Sequence, residues 1–260
     1  MNVLSPFVLS AGMVLALSVA HGTAMSDNIA EPVFPANTTS DCAPCREFDR
    51  INSMIRDGDL PKREAKAEVS VTLREIDEWY RQAGTDAGSL ARSVFPLKGY
   101  TVTAVGRGRN HGYLQAGYSY FDGNRHGGHP SLDIFIRDRE QRAVDDVSGE
   151  PVAVLSITGG VVVAAMAQWD PASALRGGKY LWIYDPAAAV LVYYAHHREL
   201  AVEAGDLVRP GDLIALVGRT GANACRRRSP THLHLTCLSV ATGRPVPRNI
   251  YPELAGSRMR

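Results

Sequence analysis

The sequence predicts an all-β domain, an antiparallel sandwich or open barrel, preceded by a small helical hairpin. From residue 95 onward, short apolar runs alternate with Gly and Pro turns, which is the pattern of many short strands. Residues 231–236 alternate Thr231, Leu233 and Leu235 with His232, His234 and Thr236, so one face of a strand is apolar and the other carries two imidazoles. Between residues 42 and 84 the apolar positions recur instead at helical spacing.

The chain of 260 residues is long enough for one domain plus an accessory segment. Its formal net charge of +1 gives no electrostatic footprint for a nucleic-acid partner. Residues 1–24 contain no Asp, Glu, Lys or Arg, and an apolar run over 8–20 is followed by small residues at Ala20 and Ala24. This reads as a secretory signal peptide, with an uncleaved membrane anchor as the alternative. The run is shorter than the roughly 20 residues a spanning helix needs, and no other stretch is long and apolar enough, so no membrane span is expected after cleavage. Residues 25–41 read as a polar linker.

Ser40 and Asp41 are good helix caps, and Phe48, Ile51 and Ile55 share one helical face that Gly58 ends. Asp59 and Pro61 start a second helix with an apolar stripe at Val69, Leu73, Ile76 and Tyr80. These helices have little to bury on their own. They dock on the following domain or on a partner, either as a packing appendage or as a regulatory pro-segment that occludes a cleft.

A second linker spans residues 85–94, and the β domain runs over 95–251 with a tail at 252–260. Strands are expected at 100–105, 133–136, 152–157, 161–165, 180–184, 190–194, 213–217 and 231–238. Four cysteines fit an oxidising compartment. Proximity favours the pairs Cys42–Cys45 and Cys225–Cys237, although Cys-Ala-Pro-Cys opening a helix also fits a redox dithiol. Cys237 shares the apolar face of its strand and points away from the histidines.

Seven of the eight histidines fall between His111 and His234, so the histidine chemistry belongs to the β domain. His129 and Asp133, four apart at a glycine-rich turn entering a strand, can converge on one metal ion, or Asp133 can cap the turn. His196 ends an apolar strand, and one of His196 and His197 reads as a surface residue. Tyr118 and Tyr120 precede the metal motif and either polarise a substrate carbonyl or fill core or surface positions. There is no His-Glu-x-x-His helix and no Gly-x-Ser-x-Gly elbow, so a zincin and a serine hydrolase of that type are excluded.

Taken together, the motifs His129-x3-Asp133, Tyr194-Ala195-His196, the glycine-rich turns at 205–212 and 217–221, and His232-Leu233-His234 resemble the LytM/lysostaphin-type zinc metalloendopeptidases. These are peptidoglycan peptidases of the duplicated-hybrid-motif group. The resemblance runs from Phe95 to Tyr251 and leaves out the helices. Pro130 and Ser131 depart from the usual residues before the aspartate, His197 replaces the usual Leu, and a charged stretch at 137–150 is longer than in many relatives.

The resemblance implies a lysostaphin-like hybrid-motif fold and one zinc ion held by His129, Asp133 and His234, with His196 and His232 as catalytic histidines. Three protein ligands leave a fourth zinc position open for catalysis, and histidine takes the place of an absent glutamate base. The implied activity is hydrolysis of peptide cross-links in peptidoglycan stem peptides by a periplasmic or secreted endopeptidase. A non-catalytic cell-wall-binding domain of the same fold, regulating another hydrolase, is the rival reading. A disulfide Cys225–Cys237 would close the loop leading into the His-x-His strand. Arg226, Arg227 and Arg228 on that loop either attract stem-peptide carboxylates or form a solvated basic run.

Overall fold

The computed structural model describes residues 41–83 and 94–257 together with Met1. The expected signal peptide, nearly all of the linker at 25–41 and most of the linker at 85–94 lie outside the described residues.

Helix α1, Ala43–Asp57, starts at Cys42 rather than at Ser40 or Asp41. Cys42 is tied to Cys45 in a disulfide within the first turn, so the Cys-Ala-Pro-Cys segment holds the helix start. Gly58 ends α1 in the left-handed conformation, and its N–H bonds to the Met54 and Ile55 carbonyls. Helix α2, Lys62–Gln82, follows after Pro61. Phe48, Ile51 and Ile55 of α1 and Val69, Leu73, Ile76 and Tyr80 of α2 are buried, as their spacing requires.

Among the described residues, ten strands form two antiparallel sheets. They are β1 Ser131–Phe135, β2 Ala153–Leu155, β3 Gly160–Met166, β4 Tyr180–Asp185, β5 Val190–Ala195, β6 His197–Leu200, β7 Leu207–Val208, β8 Leu213–Val217, β9 His232–Ser239 and β10 Val246–Pro247. The large sheet has the order β1-β9-β5-β4-β3-β7, with β10 paired on β9, and the small sheet has the order β2-β8-β6. The predicted all-β architecture with a helical segment before it is therefore present.

Three differences concern local structure. Residues 100–105 form no strand: Val102–Ala104 is a single 3-10 turn, and Val105 makes an isolated bridge to Ile134. The strands β6, β7 and β10, of four, two and two residues, are too short for alternation to reveal them. Residues 251–255 form a short helix, α3 (Tyr251–Ala255), and Leu254 inserts into the domain core.

The large sheet is buried on both faces. Leu132, Ile134, Leu181, Ile183, Val192, Leu233, Leu235 and Cys237 face the small sheet, where Val154, Ile214 and Val217 complete the core. Val163, Trp182, Tyr184, Leu191 and Leu238 face the opposite way and pack with α1 and α2. The hairpin thus shares a core with the sheet, and α1 lies against β3.

The Cys225–Cys237 bridge is absent, and both thiols are free. Cys237 points into the core between the sheets, where burial pushes its thiol up to about 12. Cys225 belongs to the loop at the other end of the strand. Arg219 holds that loop instead: its Nη1 donates to the Ser229 carbonyl at 2.8 Å and its Nη2 to the Arg226 carbonyl at 3.0 Å. Nearness in sequence was a poor guide to pairing because the strand's pleat sends Cys237 to the wrong face.

Candidate active site

Three adjacent strands of the large sheet carry the site. Asp133 on β1 stands directly opposite His234 on β9, and Ala195 at the end of β5 stands opposite His234 on the other side. Opposed residues on neighbouring strands bring their side chains together on one face. His129 lies just before β1, where a bridge to Leu114 fixes its backbone.

The first three expected ligands converge. Asp133 Oδ1 lies 3.0 Å from His234 Nδ1 and 3.4 Å from His129 Nε2. One donor atom from each of His129, Asp133 and His234 lies within 4.8 Å of the others. Two imidazole nitrogens and a carboxylate oxygen are a donor set that zinc accepts. His129 Nδ1 sits 3.1 Å from the Gly112 carbonyl. A carbonyl only accepts, so this contact assigns the proton to Nδ1 and leaves Nε2 free to ligate.

Burial opposes ionisation of Asp133, but its contacts with the His129 and His234 rings hold its carboxyl well below the usual carboxylate range. Contact with Asp133 raises His129, whereas burial lowers His234 against the same carboxylate. The carboxylate is therefore charged and directed at both ligand rings.

The two remaining histidines share the cleft. The His196 ring lies 4.9 Å from His232 and 5.5 Å from His234, centroid to centroid. His196 Nδ1 is 2.8 Å from the Thr220 carbonyl and His232 Nδ1 is 2.7 Å from the Pro230 carbonyl. A carbonyl only accepts, so both rings carry a proton on Nδ1 and turn Nε2 away from these carbonyls. His232 Nε2 lies 3.8 Å from Asp133 Oδ1. Burial, then the neighbouring His234 and His232, hold His196 well below the ordinary imidazole range.

Strand alternation alone misplaces His196. Tyr194 faces the inter-sheet core, so continued pleating would send His196 there as well. Instead His196 takes a left-handed φ of 70°, which swings its ring to the site face. Gly221 accommodates that ring: a Cβ there would come within 3.0 Å of His196 Nδ1 and collide with the Arg176 carbonyl, and its φ of 111° suits glycine. The next residue is not the surface histidine that the sequence led us to expect. His197 is fully buried, and neither ring nitrogen forms a well-aligned hydrogen bond. Burial pushes it down to about 3, partly offset by backbone groups of Tyr194 and Leu216.

Tyr118 and Tyr120 do not line this cleft. They line a cavity beside it, where the Tyr120 hydroxyl donates to Asn52 Oδ1 of α1 at 3.1 Å. Arg226, Arg227 and Arg228 are exposed, on the loop that Arg219 ties down. Within the charged stretch, Asp138 was overlooked: its Oδ2 accepts from Thr231 Oγ1 at 2.6 Å and from Ala143 N at 2.7 Å, anchoring the start of β9. The signal was present as an Asp in a turn-rich segment, but its partner lies 93 residues away.

The model of Peptidase family M23 matches residues 140–246, a span that includes His196, His232 and His234. Over that span the β domain is similar to peptidase family M23. His129 and Asp133 precede the matched span, and the β1–β9 pairing brings Asp133 opposite His234 within it. Among solved structures, the chain is similar to the antimicrobial peptidase lysostaphin from Staphylococcus simulans, at 20% identity over 63% of this chain and 56% of that one, with a TM-score of 0.39. The chain thus spans little more than half of lysostaphin. It is also similar to a putative glycyl-glycine endopeptidase lytM from Ruminococcus gnavus, at 19% identity over 84% of this chain and 93% of that one, with a TM-score of 0.42. A zinc-containing peptidase from Vibrio cholerae shares 24% identity over 60% of this chain and 39% of that one, with a TM-score of 0.34. No curated protein matches the sequence. No described helix is long and apolar enough to cross a membrane.

Proposed function

We propose that this protein is an M23-type zinc-dependent endopeptidase that hydrolyses peptide cross-links of peptidoglycan in the periplasm or outside the cell. One observation carries the reading: a clustered His129, Asp133 and His234 shares a cleft with two further histidines, each with Nδ1 held on a backbone carbonyl. A non-catalytic binding domain has no need of the second pair.

His129, Asp133 and His234 would hold the ion. Zinc bound there would polarise a peptide carbonyl and make water a usable nucleophile near neutral pH. His196 and His232 supply the proton handling. A neutral ring with Nδ1–H fixed on a carbonyl accepts a proton at Nε2, and the same ring, once protonated, donates to a developing oxyanion or to the leaving amine. The Thr220 and Pro230 carbonyls keep each ring in that orientation and stabilise it when it is charged. The apolar run and small residues of 1–24 support export, and peptidoglycan lies outside the cytoplasm.

The test is digestion of defined muropeptides by the zinc-loaded protein, with the new termini identified by mass spectrometry. A new amino terminus inside a cross-link, lost on chelation and restored by zinc, is the expected result. Intact muropeptides despite full zinc loading would remove the endopeptidase reading.

A further inference from the structure

The cleft that holds the five site residues adjoins a second cavity of about 80 Å³, formed where α1 meets the large sheet. Its walls are largely aromatic, with Tyr180, Trp182 and Tyr193 from the sheet facing Ile55 and Arg56 of α1. Arg176 and His234 line both spaces, so the second cavity opens beside the candidate metal ligands. Among the described residues, no Asp or Glu lines the aromatic cavity. Asp133 lines the cleft and is committed to His129 and His234.

Arg176 is held in place before any ligand arrives. Its backbone N–H donates to Asn124 Oδ1 at 2.9 Å. The Leu175 carbonyl before it accepts from Ala222 at 2.9 Å, and the Gly177 carbonyl after it accepts from His196 at 3.0 Å. Among the described residues its side chain makes one hydrogen bond, from Nη1 to the His126 carbonyl at 2.8 Å. A guanidinium has five N–H donors, and this one pairs with no carboxylate among the described residues. Arg56, the other cation of the cavity, is already paired with Asp57 and with the Tyr180 hydroxyl.

A fixed arginine with unused donors, beside an aromatic cavity that lacks acids, is built to receive an anion on an organic stem. We infer that Arg176 seats a carboxylate of the peptide substrate, while the aromatic cavity takes the group that carries it. The cavity has room for several waters, hence for a small side chain or terminal residue. The inference rests on the peptidase reading for the nature of the ligand. Within that reading it names Arg176 as a specificity residue outside the proton-handling pair.

The test is calorimetric titration of the full chain, with zinc and after chelation, against three acetylated tripeptides. One has a free C-terminal carboxylate, one is its C-terminal amide, and one is an amide bearing a glutamate side chain. The wild type is expected to bind at least one acidic peptide roughly 10- to 100-fold more tightly than the neutral amide, as a charge-assisted pair implies. Whichever acidic peptide is preferred identifies the source of the carboxylate. Arg176→Gln should erase the preference and leave affinity for the neutral amide unchanged. No preference in the wild type, or equal loss for all three peptides in Arg176→Gln, would overturn the inference. A preference that vanishes on chelation would place the carboxylate on the metal and also overturn it. Because the readout is binding, a wild type that discriminates without hydrolysing muropeptides would sink the peptidase reading alone.

Discussion

Asp133 and His234 face each other across the β1–β9 pair, with Oδ1 and Nδ1 3.0 Å apart. The register of two strands thus sets the distance between two candidate ligands separated by 101 residues. His234→Ala removes one imidazole of the three-donor cluster, and Asp133→Asn removes its only charge. Each variant is expected to lose stoichiometric zinc while the β-sheet signal in circular dichroism persists. Elemental analysis of purified protein checks this. A full equivalent of zinc in His234→Ala would move the centre elsewhere.

His232 shares the strand face with His234 but reaches Asp133 less closely, at 3.8 Å. His232→Ala is therefore expected to retain zinc and to lose about 10²- to 10⁴-fold in turnover, the usual contribution of a positioned acid or base. His196→Ala is expected to behave in the same way. Parallel zinc and rate measurements decide it, and an undiminished rate in both variants would show that the proton is handled by another group.

Much of this arrangement was legible in the sequence because strand alternation is a strong rule. It placed Leu233, Leu235 and Cys237 in the core and His232 and His234 on the opposite face. Helical spacing likewise identified the buried stripes of α1 and α2. The failures occur where a single backbone angle or a distant partner decides. The left-handed φ of His196 reverses the pleat, turning one histidine toward the cleft while its neighbour His197 is buried. No local pattern announces such a residue, since only glycine readily advertises positive φ. The bridge expected between Cys225 and Cys237 failed because sequence distance says nothing about which face a thiol occupies. Arg176 was overlooked because its significance comes from what surrounds it in space, not from any motif.

The hairpin is part of the domain's core. Phe48 is fully buried in the cluster that also contains Val163, Trp182 and Tyr184. Phe48→Ala is expected to cost about 3–5 kcal/mol, as for a large aromatic removed from a packed core. The loss should appear in the whole domain. Far-ultraviolet circular dichroism and tryptophan fluorescence should report one shared denaturant midpoint, lowered in the variant. Separate transitions, with only the helical one shifted, would show that the hairpin is an independent appendage. On the same argument, deleting residues 42–83 exposes the apolar face of β3 and β4 and should yield aggregated protein rather than a faster enzyme.

His197 provides a pH signature of folding. Its imidazole is pushed down to about 3 in the folded protein, against an ordinary value of 6.5, because burial disfavours the charged ring. With the folded value depressed, the unfolded chain binds a proton first as pH falls. The contribution is thus fully present above about 6.5 and is lost steadily toward 3, by roughly 1.4 kcal/mol per pH unit. His196 and His234 are also lowered, so the wild type alone does not isolate this group. The comparison is with His197→Leu, which keeps the site buried and cannot titrate. Both proteins are unfolded in urea after chelation at pH 7, 6 and 5. The gap between their stabilities should shift in favour of the variant as pH falls, whereas parallel pH profiles would mean that His197 is protonated as readily folded as unfolded.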